Sequence, residues 1–478
     1  MSFQLRKDLR MNIKQMFGTQ DMTVGKPMSV LLRFSVPLLV GNLAQQLYNT
    51  VDSIIVGKYI GDTALAAVGT AGPIFFLLLT LLMGISTGAG ILSAQYFGAK
   101  DRNTLSRVVG SSFFLILSSG IVMTAVGYFC SGWMIHLIQP PEEVAKGAII
   151  YLQIIFLGYI GNSAYNILAG ILRGMGDSFY PLVYLVAACL LNIILDLVLV
   201  KNMGIAGVAL ATIIAQALSG ALCVIRICRL RDTVDLNRKT LKPDMDLTLK
   251  LCRLGLPAGL TQAIFSLSAI IVQSLTNSMG EAVIAANVAI MRVDGFCMLP
   301  NFTFGTAATT YTGQNIGAGK ADRLSRGTKD LLKIALLSAG ILVAGVLLFG
   351  RTLIGLFTET ETVMEIGVMG LRWLALGYLC FSISQVLQGM MRGAGETMLP
   401  MWISIISTVI LRLPLAYLIA GMTKAAEWPN GHPVALFSSL LISWIAATAI
   451  SIFVYVRGMW RRRLPKEIQE AMGKKKKT

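Results

Sequence analysis

Three stretches of this 478-residue chain, 108–141, 147–172 and 433–456, contain no Lys, Arg, Asp or Glu. Each is long enough for a helix of about 20 residues to cross a bilayer. A backbone in hydrocarbon must satisfy its own hydrogen bonds, which leaves helices or closed barrels, and runs of this length are too long for barrel strands. Marking every comparable run predicts twelve spans, at 30–56, 63–92, 108–130, 147–170, 178–200, 204–227, 250–275, 283–312, 331–350, 364–388, 397–421 and 433–456. The composition agrees, with 55% hydrophobic residues, 14% charged residues and a mean hydropathy of +0.69. A water-soluble fold could not hide that much apolar surface, so the fold class is an all-α polytopic membrane protein.

A net charge of +17 would suggest nucleic acid in a soluble chain. Its distribution gives a different reading. Lys and Arg crowd the two tails and alternate connections (98–107, Arg173, 226–253, 320–333, Arg392), whereas the other connections hold only Lys58, Lys146, Lys201, Arg351 and Lys424. Basic excess marks cytoplasmic loops, which places both termini in the cytoplasm of a protein integral to the plasma (inner) membrane. The Lys474 to Lys477 run is then a solvated tail near anionic headgroups, and no nucleic-acid partner is expected. Residues 1–27 are polar and lack an apolar core followed by small residues, so no cleavable signal is expected. The seven cysteines lie mostly inside apolar runs without a CxxC pair and read as packing residues.

Self-similarity organises the chain. Gln95, Gly98 and Ala99 recur 219 positions later as Gln314, Gly317 and Ala318, and Leu105, Ser106 and Arg107 recur as Leu324, Ser325 and Arg326. The register holds from Gly158 and Tyr159 to Gly377 and Tyr378, and from Gly170, Arg173, Gly174, Gly176 and Pro181 to Gly389, Arg392, Gly393, Gly395 and Pro400. Upstream, Arg33 and Pro37 match Arg253 and Pro257 with one extra residue between the copies. Six spans per copy, an even number, make the repeats parallel, with a pseudo-two-fold along the membrane normal. The expected division is a cytoplasmic segment 1–27, an N-lobe 28–228, a basic linker 229–247, a C-lobe 248–457 and a basic tail 458–478.

Two parallel lobes suit alternating access, in which a central site opens to each side in turn. Enzymatic readings find little support. Gly317, Ala318, Gly319 and Lys320 lack the leading Gly and following Ser or Thr of a phosphate loop. His136 and His432 have no partner at metal spacing. Neither a cofactor nor a structural metal is expected.

Polar residues inside the spans carry the functional signal. On the first span Asn42, Gln45, Gln46, Asn49, Asp52 and Ser53 fall on one helical arc of about 120°. Asp52 either marks an ion or proton pathway, the default for an intramembrane acid, or sits solvated at the outer helix end near Lys58. Asn192 and Asp196, at i and i+4 on the fifth span, are surrounded by Leu and Ile, which weakens a snorkelling explanation. One repeat further on, their positions hold Leu411 and Leu415. Coupling is therefore expected in the N-lobe, through a carboxylate that either coordinates Na⁺ or carries a proton after desolvation.

The C-lobe offers Arg292 and Asp294 on the eighth span and Arg412 on the eleventh, where Asp294 is either a second coupling acid or an arginine's partner. A looser polar stripe, Gln262, Ser266, Gln273 and Asn277, lies on the seventh span and would complete a polar cavity. Met291, Phe296, Met298, Phe302 and Phe304 either line a pocket for flat cations or pack ordinarily.

The chain resembles the multidrug and toxic compound extrusion (MATE) family. The motifs are "YNTVDSIIVG" from Tyr48, "SAQYFGAKD" with its twin "TGQNIGAGK", "LRGMGDSFYP" with "MRGAGETMLP", and "NIILD" before "GIAGVALAT". The resemblance implies a twelve-helix, two-lobed antiporter that exports cationic amphipathic drugs in exchange for H⁺ or Na⁺. It further implies an N-lobe coupling set of Tyr48, Asp52, Asn166, Asn192, Asp196 and Thr212. The C-lobe arrangement of other members, a glutamate on the seventh span and an aspartate on the tenth, is not matched, since Gln262 and Gln273 occupy the seventh and the tenth has no Asp. Small organic cations and membrane lipid are the expected partners, and a monomer the expected working form. The alternative within transport is a flippase or exporter of a lipid-linked or other polar precursor.

Overall fold

Apolar sequence with no aqueous partner for its backbone folds into helix almost everywhere. The computed structural model describes residues 18–464 and 468–469. The Lys474 to Lys477 run and the side chains of Asn49, Asp52 and Ser53 lie outside the described residues. The helices are α1 Pro27–Tyr59, α2 Asp62–Gly98, α3 Arg102–Ile138, α4 Glu142–Leu157, α5 Tyr159–Gly174, α6 Phe179–Met203 and α7 Ile205–Arg229. They continue as α8 Met245–Ser278, α9 Glu281–Gly317, α10 Ala321–Gly355, α11 Glu361–Gly393, α12 Met398–Ser404, a π-helical stretch Ile405–Arg412, α13 Leu413–Met422 and α14 Val434–Arg457. Among the described residues, eleven helical spans are long and apolar enough to cross a membrane, α12 through α13 counting as one. The pair α4 and α5, bent by 54°, makes a twelfth when counted as one broken span.

Most helices run past the apolar cores that predicted them. The span expected at 331–350 is α10, Ala321–Gly355, because polar turns at a helix end keep their backbone bonds in the headgroup layer. Short polar residues then stop and restart the chain. Asp101 caps α3 by accepting from the Thr104 N–H at 3.0 Å, and Thr104, through its side chain first and its backbone second, holds the Asp101 carboxyl below the usual range.

The fourth span departs from expectation. A single crossing at 147–170 was expected, but the helix breaks at Gly158 into α4 and α5. A Cβ at Gly158 would come within 2.3 Å of Ile213, so only glycine lets α7 approach here. The Phe156 carbonyl at the break accepts from the Thr124 hydroxyl at 2.7 Å, which satisfies a group that hydrocarbon would leave bare. In the second copy α11 passes straight through the equivalent Gly377. The π-helical stretch has a local cause as well. Pro414 has no N–H for the Ile410 carbonyl, and a wide turn absorbs the mismatch.

The chain divides into two units. The first comprises Leu32–Gly259 with Gly313–Ala318 and the chain up to Gly25; the second comprises Lys26–Leu31, Leu260–Thr312 and the chain from Gly319. In the first, α2 packs on α4 and α5, and α5 on α7, around Leu105, Leu152, Phe156, Tyr159, Ile167 and Ile171. In the second, α11 packs on α10 and α14 around Ile290, Leu371, Leu374, Tyr378, Phe437 and Trp444.

The matched glycines earn their places by close approach and by backbone conformation. A Cβ at Gly170 would lie 2.6 Å from the Ser86 carbonyl, and one at the equivalent Gly389 would lie 2.3 Å from the Gly305 carbonyl. Small residues at these crossings let two backbones meet without hydrophobic driving force in lipid. Gly176 and Gly395 turn at φ of 84° and 85°, the left-handed region that a Cβ disfavours.

The end of α9 is built into the first unit. A Cβ at Gly98 would sit 2.0 Å from the Gln314 carbonyl, and one at Gly317 would sit 1.8 Å from the Gln95 carbonyl, the same contact twice at the repeat spacing. The buried Gln314 side chain accepts from the Met22 N–H at 2.8 Å and donates to the Gly174 carbonyl at 2.9 Å. The basic linker also packs into this unit. Arg107 pairs with Asp244, and the Asp235 N–H donates to the Ser106 hydroxyl at 2.8 Å.

Candidate functional site

The first unit brings three helices together on a buried acid. On α6 the i, i+4 spacing stacks Asn192 and Asp196 on one face, and they are 1% and 0% exposed while Leu190, Ile194 and Val198 are each 59% exposed. Burying both polar residues is tolerable only with hydrogen bonds. Asn192 supplies them when its amide is oriented with nitrogen toward acceptors and oxygen toward donors. It then donates to Asp196 Oδ2 at 2.9 Å and to the Tyr48 hydroxyl of α1 at 3.1 Å, and accepts from the Thr212 N–H of α7 at 3.1 Å. The Thr212 hydroxyl itself donates back to the Val208 carbonyl at 3.0 Å.

Four of the expected N-lobe residues, Tyr48, Asn192, Asp196 and Thr212, are thus joined in one network. Asn166 is not held by it. Its amide donates to the Asn162 carbonyl at 3.0 Å and to the Asn162 side-chain oxygen, one turn earlier on α5. Asn162, 5% exposed, is a polar residue the sequence reading did not single out, although its i, i+4 spacing to Asn166 was visible. Asp52 belongs to α1 one turn beyond Tyr48, with its side chain outside the described residues. Asn42, Gln45 and Gln46 are half-buried, while Val36, Val40, Leu43 and Leu47 are 40–55% exposed, as an α1 with one polar arc requires.

The second unit holds a different arrangement. Asp294 of α9 lies beside Tyr378 of α11 and within the field of Arg412, the last residue of the π-helical stretch. Asp294 Oδ1 and Arg412 Nε are both shielded and make no hydrogen bond, and among the described residues no ion pair joins them. Arg292 points elsewhere and is exposed. Gln273 donates to Asn277 at 2.8 Å and accepts from Asn287 of α9 at 3.4 Å, tying α8 to α9, while Gln262 is half-buried. Of the aromatic and methionine set, Met298 and Phe304 are buried, whereas Met291, Phe296 and Phe302 are exposed.

A further buried carboxylate sits in the turn between α5 and α6. Asp177, 0% exposed, takes two bonds from Arg226 of α7 at 3.0 and 2.9 Å and accepts from the Tyr180 N–H at 3.1 Å. Arg226 also lies 3.7 Å over the Tyr180 ring. Burial pushes the Asp177 carboxyl above the usual range, and the guanidinium offsets part of that. Its repeat equivalent, Glu396, caps α12 through the Met398 and Leu399 N–H groups, but the position matching Arg226 is Ile445.

A duplicated array of membrane helices with a networked acid buried in one span defines an integral membrane protein of the transporter class. The profile of the MatE family matches residues 37–198 and 257–418, one match in each repeat, and the chain belongs to the MATE family. Probable multidrug resistance proteins YoeA and YpnP of Bacillus subtilis are each 29% identical to it, YoeA over 90% of this chain and 93% of its own, YpnP over 92% and 97%. An outward-facing multidrug resistance MATE family transporter of the MOP superfamily superposes with a TM-score of 0.85 at 25% identity, covering 93% of this chain and 98% of its own. A MOP superfamily transporter from Pyrococcus furiosus gives the same score, identity and coverage, and its description notes a binding pocket of reverse polarity.

Proposed function

We propose that this protein is a secondary active antiporter of the plasma (inner) membrane that exports small organic cations in exchange for H⁺ or Na⁺. It works as a monomer with both termini cytoplasmic, and lobes 28–228 and 248–457 alternate access to a central cavity. The observation that carries the reading is the Asp196–Asn192–Tyr48 linkage, which couples a buried carboxyl group on α6 to the position of α1. The multidrug resistance names of the relatives support the substrate class.

The physical step is a change of charge. A hydrogen bond to a carboxylate is worth about 1.5–3 kcal/mol and one to a neutral group about 0.5–1.5. Neutralising Asp196 by H⁺, or screening it with Na⁺, therefore weakens the hold of Asn192 by roughly 1–2 kcal/mol, enough to shift a two-state population about tenfold. Ion entry favours release of the drug and return of the lobes, and ion release to the cytoplasm restores the charge that attracts the next cation.

The test is ethidium transport in proteoliposomes under an imposed pH or Na⁺ gradient. Asp196→Asn and Asp52→Asn are each expected to lower the gradient-driven rate about tenfold or more, in line with loss of a charge that must change state. Intact gradient-driven transport in both variants would sink the coupling assignment. Lipid scrambling without any cation transport would replace the antiporter with the flippase.

A further inference from the structure

On the second unit, α10 and α11 enclose a groove of about 390 Å³ lined by Arg351, Glu365, Val368, Met369, Arg372 and Trp373. Glu365, Val368, Met369 and Arg372 stand at i, i+3, i+4 and i+7, one face of α11. The surface around it is apolar and open, with Leu348 77% and Leu376 62% exposed. Such a surface in a membrane helix faces acyl chains, and an ionisable residue among them calls for a reason.

Depth sharpens the question. α11 has 33 residues, so at about 1.5 Å per residue it is roughly 50 Å long and overhangs a hydrocarbon core of about 30 Å by some 10 Å at each end. Arg372, eleven positions after Glu361, then lies about 6 Å inside the hydrocarbon boundary nearer the 356–360 connection. Side chains of a helix lean toward its N-terminus, so the guanidinium rises toward that boundary and toward Glu365. Trp373 adds the amphipathic ring typical of the interface.

The charges of the groove come in both signs. Arg351 is held by both oxygens of Glu361, at 2.8 and 2.9 Å. Arg372 and Glu365 have no ion pair among the described residues. The available cation is thus the deeper of the two and the available anion the shallower. A phospholipid headgroup that carries an amine has the matching order, with its phosphate next to the glycerol and its ammonium farther out.

We propose that this groove binds a zwitterionic phosphoamine headgroup, its phosphate on Arg372 and its primary ammonium on Glu365, with the lipid's chains lying over Leu348 and Leu376. The same headgroup chemistry exists in soluble glycerophosphoamines, and the acyl anchoring distinguishes the two sources. The charge asymmetry of the loops assigns the site to the outer leaflet.

Native mass spectrometry of the delipidated full chain tests this with dioleoyl phosphatidylethanolamine, dioleoyl phosphatidylglycerol and water-soluble glycerophosphoethanolamine. The ethanolamine lipid is expected to be retained at least about tenfold better than the glycerol lipid, the low end of what one charge-assisted hydrogen bond is worth. Arg372→Ala should reduce retention of both lipids, whereas Glu365→Gln should abolish only the preference. Both side chains are exposed, so unchanged melting temperatures in the two variants are the expected folding control. Equal retention of the two lipids by the unmodified chain, or variants that bind as it does, would overturn the proposal. Soluble glycerophosphoethanolamine binding as tightly as the lipid would overturn the lipid as the source.

Discussion

Asp177 and Asp196 are both fully buried, yet the structure holds them by different means, and their variants should separate accordingly. Asp177 neutralises Arg226 and caps α6. Asp177→Ala strands a partly buried guanidinium, and breaking a buried pair costs up to about 3–5 kcal/mol. Thermal unfolding in detergent should show a large loss of stability, and a loss under about 1 kcal/mol would mean that water replaces the carboxylate. Asp196 is bonded through a neutral amide, and in Asp196→Asn the weaker bond is offset by no longer burying a carboxylate, so stability should change by no more than about 1 kcal/mol while coupled transport falls. Tyr48→Phe removes the hydroxyl that Asn192 reaches on α1 and is expected to slow transport several-fold with ethidium binding retained. Transport at the unmodified rate would detach Tyr48 from the coupling set.

At the scale of the element, the two departures from a plain helix are the informative ones. At the break Gly158 packs against Ile213 of α7, so Gly158→Ala should overpack that crossing and cost about 1–3 kcal/mol in thermal unfolding. The π-helical stretch depends on Pro414. Pro414→Ala supplies an N–H for the Ile410 carbonyl, and amide exchange over 405–412 should slow as the stretch regains α-helical bonding. That change would also rotate Arg412 relative to Asp294, because the wide turn sets where the last residue of the stretch projects. Unaltered exchange would assign the π-helix to the packing of α14 rather than to proline. The Ser443 hydroxyl of α14, which donates to the Ser407 carbonyl at 2.9 Å, would then be the contact to remove next.

At the scale of the molecule, the proposed orientation rests on where the arginines and lysines lie. A cysteine introduced at Lys424, in one of the connections poor in Lys and Arg, should react with a membrane-impermeant thiol reagent added to intact cells, and one introduced at Lys242, in the linker, should not. The reverse pattern would invert the topology and move the proposed headgroup groove to the inner leaflet.

Hydropathy and the 219-residue repeat were enough to determine a duplicated array of about twelve membrane helices, because burying backbone in lipid leaves helix as the answer and matched glycines mark where copies must pack or turn alike. The same reasoning located Asn192 and Asp196, since two polar residues at i, i+4 among leucines have no inexpensive place in hydrocarbon. Tertiary structure decided who their partners are. Tyr48 and Thr212 lie about 140 positions before and 20 after Asn192, and in the sequence reading only the family resemblance, not spacing, connected them to it. Asn166 shows the limit from the other side, for its nearest polar partner proved to be Asn162 on its own helix. The break at Gly158 and the unbroken passage at Gly377 share the pair Gly followed by Tyr, so that pair alone does not decide the bend, and what packs on each glycine differs: Ile213 of α7 in one unit and the Trp444 ring of α14 in the other. Local sequence sets which conformations a segment can adopt cheaply; the neighbours that the fold delivers choose among them.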